Sequence, residues 1–349
     1  MSHNEPGGLR VRSLQDSDCP RWDEFVRACP QATFFHLSAW ERLIREVWRH
    51  RCYYLYAERG NEIVAVLPLV EIKSALFGHS LSSLPFAVYG GIAGDDAEAR
   101  AALEAKADAL ARELGVSHLE YRNMQPVHAD WPSQDIYVMF RKEMAADEEA
   151  NMLAIPRKQR AMVRKGLQNG LVATIDDGVD RFFSVYADNV RRHGTPAMSK
   201  RWFRALREAF GKDCDVLTVT DANGQLLSSV LSFYFRDEIL PYYAGDMPAA
   251  RGLAANDFKY WELMRHALAR GCKVFDYGRS KVGTGPYSFK KNWGFEPVTM
   301  SYEYVLYKGD SIPQNNPNNP KFRAFIAMWQ RLPLVVANTL GPHIVRNLG

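Results

Sequence analysis

The sequence has none of the short motifs that mark the commonest hydrolytic and nucleotide-dependent chemistries. There is no His-Glu-x-x-His, no Gly-x-Ser-x-Gly, no phosphate loop ending in Gly-Lys-Ser/Thr and no Cys-x-x-Cys. Metalloprotease, serine hydrolase, P-loop NTPase and zinc-module readings therefore have no support. Long apolar runs are missing too. The longest, Ile63–Val70, is strand-sized, far short of the ~18–20 residues a membrane helix needs. The opening residues, Met1 to Arg12, are polar and lack the apolar centre of a secretory signal. Cysteine is scarce and odd in number, five in all (Cys19, Cys29, Cys52, Cys214, Cys272), without metal-ligand spacing. Reduced thiols of a cytosolic protein are the simplest account. Acidic residues stop at Asp310, while Lys321, Arg323, Arg331 and Arg346 follow. Those four account for the net charge of +4, so residues 1–310 balance 40 basic against 40 acidic groups. A neutral body argues against a dedicated nucleic-acid binder.

What is present suits a soluble globular chain of two ordinary domains: 349 residues, 47% apolar and 24% charged. Residues 9–50 read as mainly helical, with Trp22, Phe25 and Val26 on one face and Trp40, Leu43, Ile44 and Val47 on another. Two strands, Tyr53–Glu58 and Glu62–Ile72, flank a Gly60-Asn61 turn. Ala97–Leu114 is an alanine-rich helix ending at Gly115. Strands at Ser117–Arg122 and Ile136–Arg141 complete a first mixed α/β unit.

The second unit opens with Pro156 and a run of five basic residues to Lys165 without an acid, a cationic helix. Helices at Asp180–Arg192 and Ser199–Phe210 follow, then a hairpin of Asp215–Thr220 and Leu226–Phe235 across Asn223-Gly224. A strand from Glu238 to Gly245 and a helix capped by Asn256 and running to Arg270 come next. Val274-Phe275 enters a glycine-rich stretch (Gly278, Gly283, Gly285) at Asp276. Lys290, Lys291 and Trp293-Gly294-Phe295 lie beyond it. An acid at a strand end, a loop where backbone can approach a ligand, and a lysine a few residues on form a candidate reactive site. A structural loop with a solvated lysine pair fits the same residues. After an Asn/Pro linker at 315–320, the tail is apolar, aromatic and basic, broken by Pro333. It suits either a packing helix or peripheral contact with an anionic membrane through residues 321–346.

Phe289-Lys290-x-x-Trp293-Gly294, preceded by Phe275-Asp276-Tyr277-Gly278, resembles the signature of the FemAB family of peptidyltransferases. Those enzymes move an amino acid from aminoacyl-tRNA onto a peptidoglycan precursor. The region is also similar to the wider FemAB-like acyltransferases built on the GNAT fold. The aromatic opening at Phe34-Phe35 to Trp40, the basic helix and Arg191-Arg192-His193-Gly194 are similar as well. Layout covers roughly residues 10–308, and the specific motifs lie in 156–166 and 242–297. Two departures stand out. The family's substrate-anchoring arginine beyond Gly194 has no match, only Lys200 nearby, and Arg42 and Arg45 stand where the family has a lysine after Trp40. Length and the short basic tail look most like FemAB-related proteins associated with PEP-CTERM (exosortase) loci, which accompany exopolysaccharide production in Gram-negative bacteria.

The resemblance implies an α/β (α+β) chain of tandem GNAT-like domains, mixed sheets flanked by helices. Residues 1–148 and 149–310 would be the two domains and 311–349 a linker and basic tail. It implies that Lys290 stabilises the oxyanion of acyl transfer and that Tyr243, in a Tyr-Ala-Gly match, assists proton transfer. Asp276 orients the lysine or receives the incoming amine, against a plain role in capping its loop. Arg279 and Tyr287 line the pocket. Arg157, Lys158, Arg160 and Arg164 hold a phosphate-bearing substrate, or else form a solvated face. No bound cofactor is expected. The co-substrate is aminoacyl-tRNA, with acyl-CoA the alternative, because Ala250–Asn256 does not fit the arginine/glutamine-x-x-glycine-x-glycine/alanine loop that binds CoA pyrophosphate. The acceptor is an amine-bearing cell-envelope or exopolysaccharide precursor, met in the cytoplasm or at the inner membrane face. A CoA-dependent N-acetyltransferase and a non-catalytic scaffold of envelope polysaccharide assembly are the competing readings.

Overall fold

The structure, a computed structural model, describes residues 8–74, 77–312 and 320–348. The first seven residues and all but the last of the Asn/Pro stretch at 315–320 lie outside the described residues. The first half of the chain forms β1 (Leu9–Ser13), α1 (Cys19–Ala28), α2 (Ala39–Leu43), β2 (Arg51–Arg59), β3 (Glu62–Ser74), β4 (Gly78–Ser82), α3 (Ala97–Leu114), β5 (His118–Asn123), β6 (Ser133–Gln134) and β7 (Tyr137–Glu143). The second forms α4 (Glu148–Ala154), α5 (Arg157–Gln168), β8 (Val172–Ile175), α6 (Asp180–Arg192), α7 (Lys200–Phe210), β9 (Cys214–Thr220), β10 (Leu226–Phe235), β11 (Glu238–Asp246), α8 (Ala250–Leu253), α9 (Ala255–Ala269), β12 (Val274–Lys281), α10 (Gly285–Asn292), β13 (Pro297–Thr299), β14 (Ser301–Leu306), α11 (Pro320–Gln330) and α12 (Leu334–Val345). Residues 9–50 are therefore not all helical. Alternating Leu9 and Val11 pack on the core, and β1 pairs antiparallel with β2.

Two sheets share one plan. The first runs β1-β2-β3-β4-β5-β14-β6: antiparallel up to β4, then a parallel β4–β5 pair with α3 between them in the chain. The second runs β13-β7-β12-β11-β10-β9-β8: β8 to β11 are antiparallel, and β11–β12 is parallel with α9 as its crossover. A parallel neighbour needs such a crossover, so the same constraint is met in the same way twice. This is the tandem GNAT-like layout that the resemblance implied. α3 shows how local sequence builds it. Asp96 accepts the Ala99 N–H at 3.0 Å, Ala99, Leu103, Ala107 and Ala111 face inward, and Gly115 ends the helix at φ 65°.

The boundaries differ from a division at 148 and 310. By contact, the described residues form two compact units. One is drawn from Met1–Tyr137, Thr299–Gln314 and Asn347–Gly349, the other from Val138–Val298 and Asn315–Arg346. The reason is an exchange of strands. β7 sits in the second sheet between β13 and β12, where Val138 and Phe140 enter a core with Phe275 and Tyr277. β14 sits in the first, paired antiparallel with β5 from Ser301↔Asn123 to Leu306↔His118. Its Glu303 is fully buried and accepts from Asn123 Nδ2 (3.0 Å), Val127 N (2.6 Å), His128 N (3.3 Å), His128 Nδ1 (2.9 Å) and Ser301 Oγ (3.1 Å). A buried carboxylate so fully satisfied pins the connection after β5.

The tail is not one helix. Pro333 precedes α12, and α11 and α12 belong to the second unit. Trp329 and Ala337 are buried, Gln330 Nε2 donates to the Arg192 carbonyl at 3.0 Å, and Gly341 abuts the Ala197 backbone. One face of the tail thus packs on the body.

Candidate active site

β11 and β12 pair only at Glu238↔Val274 and Ile239↔Phe275. Beyond those residues the strands part, leaving the second half of each without the other as a hydrogen-bond partner. β11 also slips register against β10, Leu231 facing Tyr243 and Ser232 facing Pro241, so Tyr242 is an extra, bulged residue beside the opening.

The predicted glycine-rich loop is shorter than expected, because β12 continues through it to Lys281. Gly278, at φ 65°, twists the strand there. Asp276 is buried and its Oδ1 accepts the Gly278 N–H at 2.7 Å, within the strand rather than at a loop that follows it. On α10, Lys290 Nζ donates to three successive carbonyls: Tyr277 (2.6 Å), Gly278 (3.3 Å) and Arg279 (3.1 Å). The rings of Phe140 and Tyr277 lie within 6 Å of the ammonium. Burial pulls the Lys290 pKa down to about 8; Asp276 resists this and Arg279 adds to it. Lys290, Asp276 and Arg279 are thus one electrostatic group. Tyr287 is half-buried on α10 against Phe140.

Tyr243 has a different set of neighbours. It is buried among Tyr186, Phe203 and Tyr242, and its hydroxyl accepts from Trp202 Nε1 at 3.2 Å. Burial holds its pKa well above the usual value. Its own hydroxyl proton remains uncommitted by that bond.

On α5, Gln159, Val163 and Gly166 face inward. A Cβ on Gly166 would stand 2.7 Å from that of Phe258, so α5 and α9 cross closely there. Arg157, Lys158 and Arg164 are exposed and have no carboxylate partner among the described residues, whereas Arg160 is half-buried and donates to the Ile155 carbonyl at 3.3 Å. Lys200, near the missing anchor arginine, pairs with Asp180 at 2.7 Å.

Sequence reading missed a buried polar group on α9. Asp257 Oδ1 accepts from both Gln159 Nε2 and Trp293 Nε1 at 2.9 Å, joining α5, α9 and α10. Burial raises its pKa against those two bonds. Lys259, fully buried, reaches Asp246 at the end of β11 at 3.1 Å, and burial lowers its pKa. A lysine between Phe258 and Tyr260 gives no hint in the sequence that it turns inward. The α9 start differs as well. Ala254, at φ 58°, stands at its N-cap after the single turn α8, in place of Asn256, and no side chain caps the helix.

Splayed parallel strands, a bulge on one of them and a crossover helix between them are the framework of an acetyltransferase fold, and residues 154–291 match the acetyltransferase (GNAT) domain family. The chain is a tandem GNAT-fold protein. Within that fold it is similar to enzymes of the FemAB kind. Over 135 residues it is 23% identical to the UDP-N-acetylmuramoylpentapeptide-lysine N(6)-alanyltransferase of Weissella viridescens, a match spanning 38% of this chain and 40% of that enzyme's length. The crystal structure of FemX superposes with a TM-score of 0.66 at 14% identity, covering 85% of this chain and 97% of FemX. The C-terminal domain of a putative lysylphosphatidylglycerol synthetase from Agrobacterium fabrum gives 0.56 at 15% identity, with 84% and 92% covered. A tandem GNAT protein of the clavulanic acid biosynthesis pathway gives 0.55 at 12% identity, with 87% and 100% covered.

Proposed function

We propose that the chain is an N-acyltransferase that moves an aminoacyl group from aminoacyl-tRNA to an amine on a cell-envelope precursor. The observation that carries this is the Lys290 ammonium, held against three β12 carbonyls beside the parted strands. In the reaction the acceptor nitrogen attacks the ester carbonyl carbon, forming the C–N bond, and the carbonyl oxygen becomes an oxyanion. Lys290 opposes that charge. The intermediate collapses by breaking the ester C–O bond. The proton that the nitrogen loses passes to the departing ribose oxygen, and the Tyr243 hydroxyl is our candidate relay, giving its own proton to the oxygen as it takes up the one from nitrogen. Asp276 keeps the strand twist that aligns the three carbonyls and stabilises the ammonium. Arg279 and Tyr287 flank it. Arg157, Lys158, Arg160 and Arg164 meet substrate phosphates, a role favoured by three of them lacking acidic partners.

The alanyltransferase relative, acting on a lysine N6, supports an amine acceptor. The tail and length that resemble the exosortase-associated subgroup favour an exopolysaccharide precursor, met at the inner face of a membrane. A second reading, acyl-CoA as donor, draws on the GNAT match and the uncapped α9 start. The α8 turn standing where a pyrophosphate loop would run weighs against it.

The test supplies the purified chain with labelled aminoacyl-tRNA or acetyl-CoA, plus UDP-linked and lipid-linked precursors. Label moving from tRNA to an amine, and lost in Lys290→Ala, supports the proposal. Label moving only from acetyl-CoA overturns the donor, and full function of Lys290→Ala in cells overturns catalysis altogether.

A further inference from the structure

The tail has a second face. Along α12, Ala337, Gly341 and Val345 turn inward at four-residue spacing. Val335 is 78% exposed, Val336 39% and Leu340 46%, and on α11 Met328 is 54% exposed. Arg323 and Arg331 are exposed beside them, with no carboxylate partner among the described residues. The helix beneath is different: on α6, Arg191 and Arg192 both pair with Asp188.

We propose that this outer face of α11 and α12 docks on an anionic lipid bilayer. Its apolar side chains would enter the boundary between headgroups and acyl chains, and Arg323 and Arg331 would meet lipid phosphates. Three observations favour that occupant. The exposed apolar side chains are aliphatic and come from two successive helices, an apolar face rather than scattered single residues. No acidic residue follows Asp310, so nothing on the segment repels an anionic surface. A second copy of the same face would bring like charges together without a carboxylate to offset them, which disfavours self-pairing. Among the described residues no helix is long and apolar enough to cross a membrane, so the segment lies along the surface.

The proposal is independent of acyl transfer, and Lys290→Ala should bind vesicles as wild type does. The experiment is sedimentation of the full chain with phosphatidylcholine vesicles, with and without phosphatidylglycerol. Wild type should bind only the anionic vesicles, and salt should weaken binding. Arg323→Gln with Arg331→Gln should weaken it roughly 25-fold, at about fivefold per basic residue. Val335→Glu with Leu340→Glu should abolish binding while leaving the thermal unfolding midpoint unchanged, because both side chains are exposed. Vesicle binding unaffected by the glutamates overturns the proposal, as does equal binding to both vesicles or to neither. A concentration-dependent dimer that the glutamates dissolve overturns it in favour of a second copy.

Discussion

Trp293 Nε1 and Gln159 Nε2 share a single oxygen, Oδ1 of buried Asp257, each at 2.9 Å. The signature tryptophan of the motif therefore works from behind the site, tying α10 to α9 while Lys290, three residues earlier, faces the carbonyls of β12.

Removing either donor should cost about 1–3 kcal/mol, the range for leaving a buried polar group short of a partner. The double variant Trp293→Phe, Gln159→Ala should cost more than the two singles added, because Asp257 then has neither donor. Urea unfolding of the four proteins measures this, and simple additivity would mean that water replaces the lost donors.

Acyl transfer should have an alkaline limb set by Lys290. With its pKa lowered to about 8, the ammonium is present below that pH and lost as pH rises through it. Activity that needs the cation falls over the same interval. In Lys290→Arg the charge persists, so whatever activity remains should not fall there. A single-turnover pH profile reads this directly; an unchanged limb in the arginine variant assigns it to another group.

Tyr243→Phe separates a proton carrier from a core tyrosine. Loss of the hydroxyl leaves Trp202 Nε1 without its acceptor and should cost about 1 kcal/mol of stability. If Tyr243 supplies the leaving-group proton, kcat should also drop at least ~100-fold. A stability loss with normal kcat would confine this residue to packing.

Glu303→Gln should destabilise the first unit by about 3 kcal/mol, since an amide cannot satisfy the donors that converge on this buried carboxylate. Hydrogen exchange at Val127 and His128 should rise first, and unchanged protection there would refute the pinning role.

Much of the framework was legible because its signals are local. α6 and β10 run where periodicity and turn residues put them, and α3 begins and ends at its caps. Partner choice was not legible. β7 and β14 are buried over consecutive residues, 138–140 and 301–304, and such a run says nothing about which sheet receives the strand. Lys290 was visible through the motif around it. Its three carbonyl partners were not, because they depend on β12 continuing past Gly278. Asn256 looked like a cap, but the left-handed turn at Ala254 starts the helix earlier and leaves Asp257 free to serve Trp293.

The traded strands make the chain indivisible. A single cut anywhere between β7 and β14 yields a front piece carrying a strand its own sheet never uses. The back piece then holds the strand the front piece needs. Although the layout is that of a duplication, neither copy is a module that can be lifted out, grafted elsewhere or lost alone. Any circular rearrangement or fusion of this protein must keep both crossings intact.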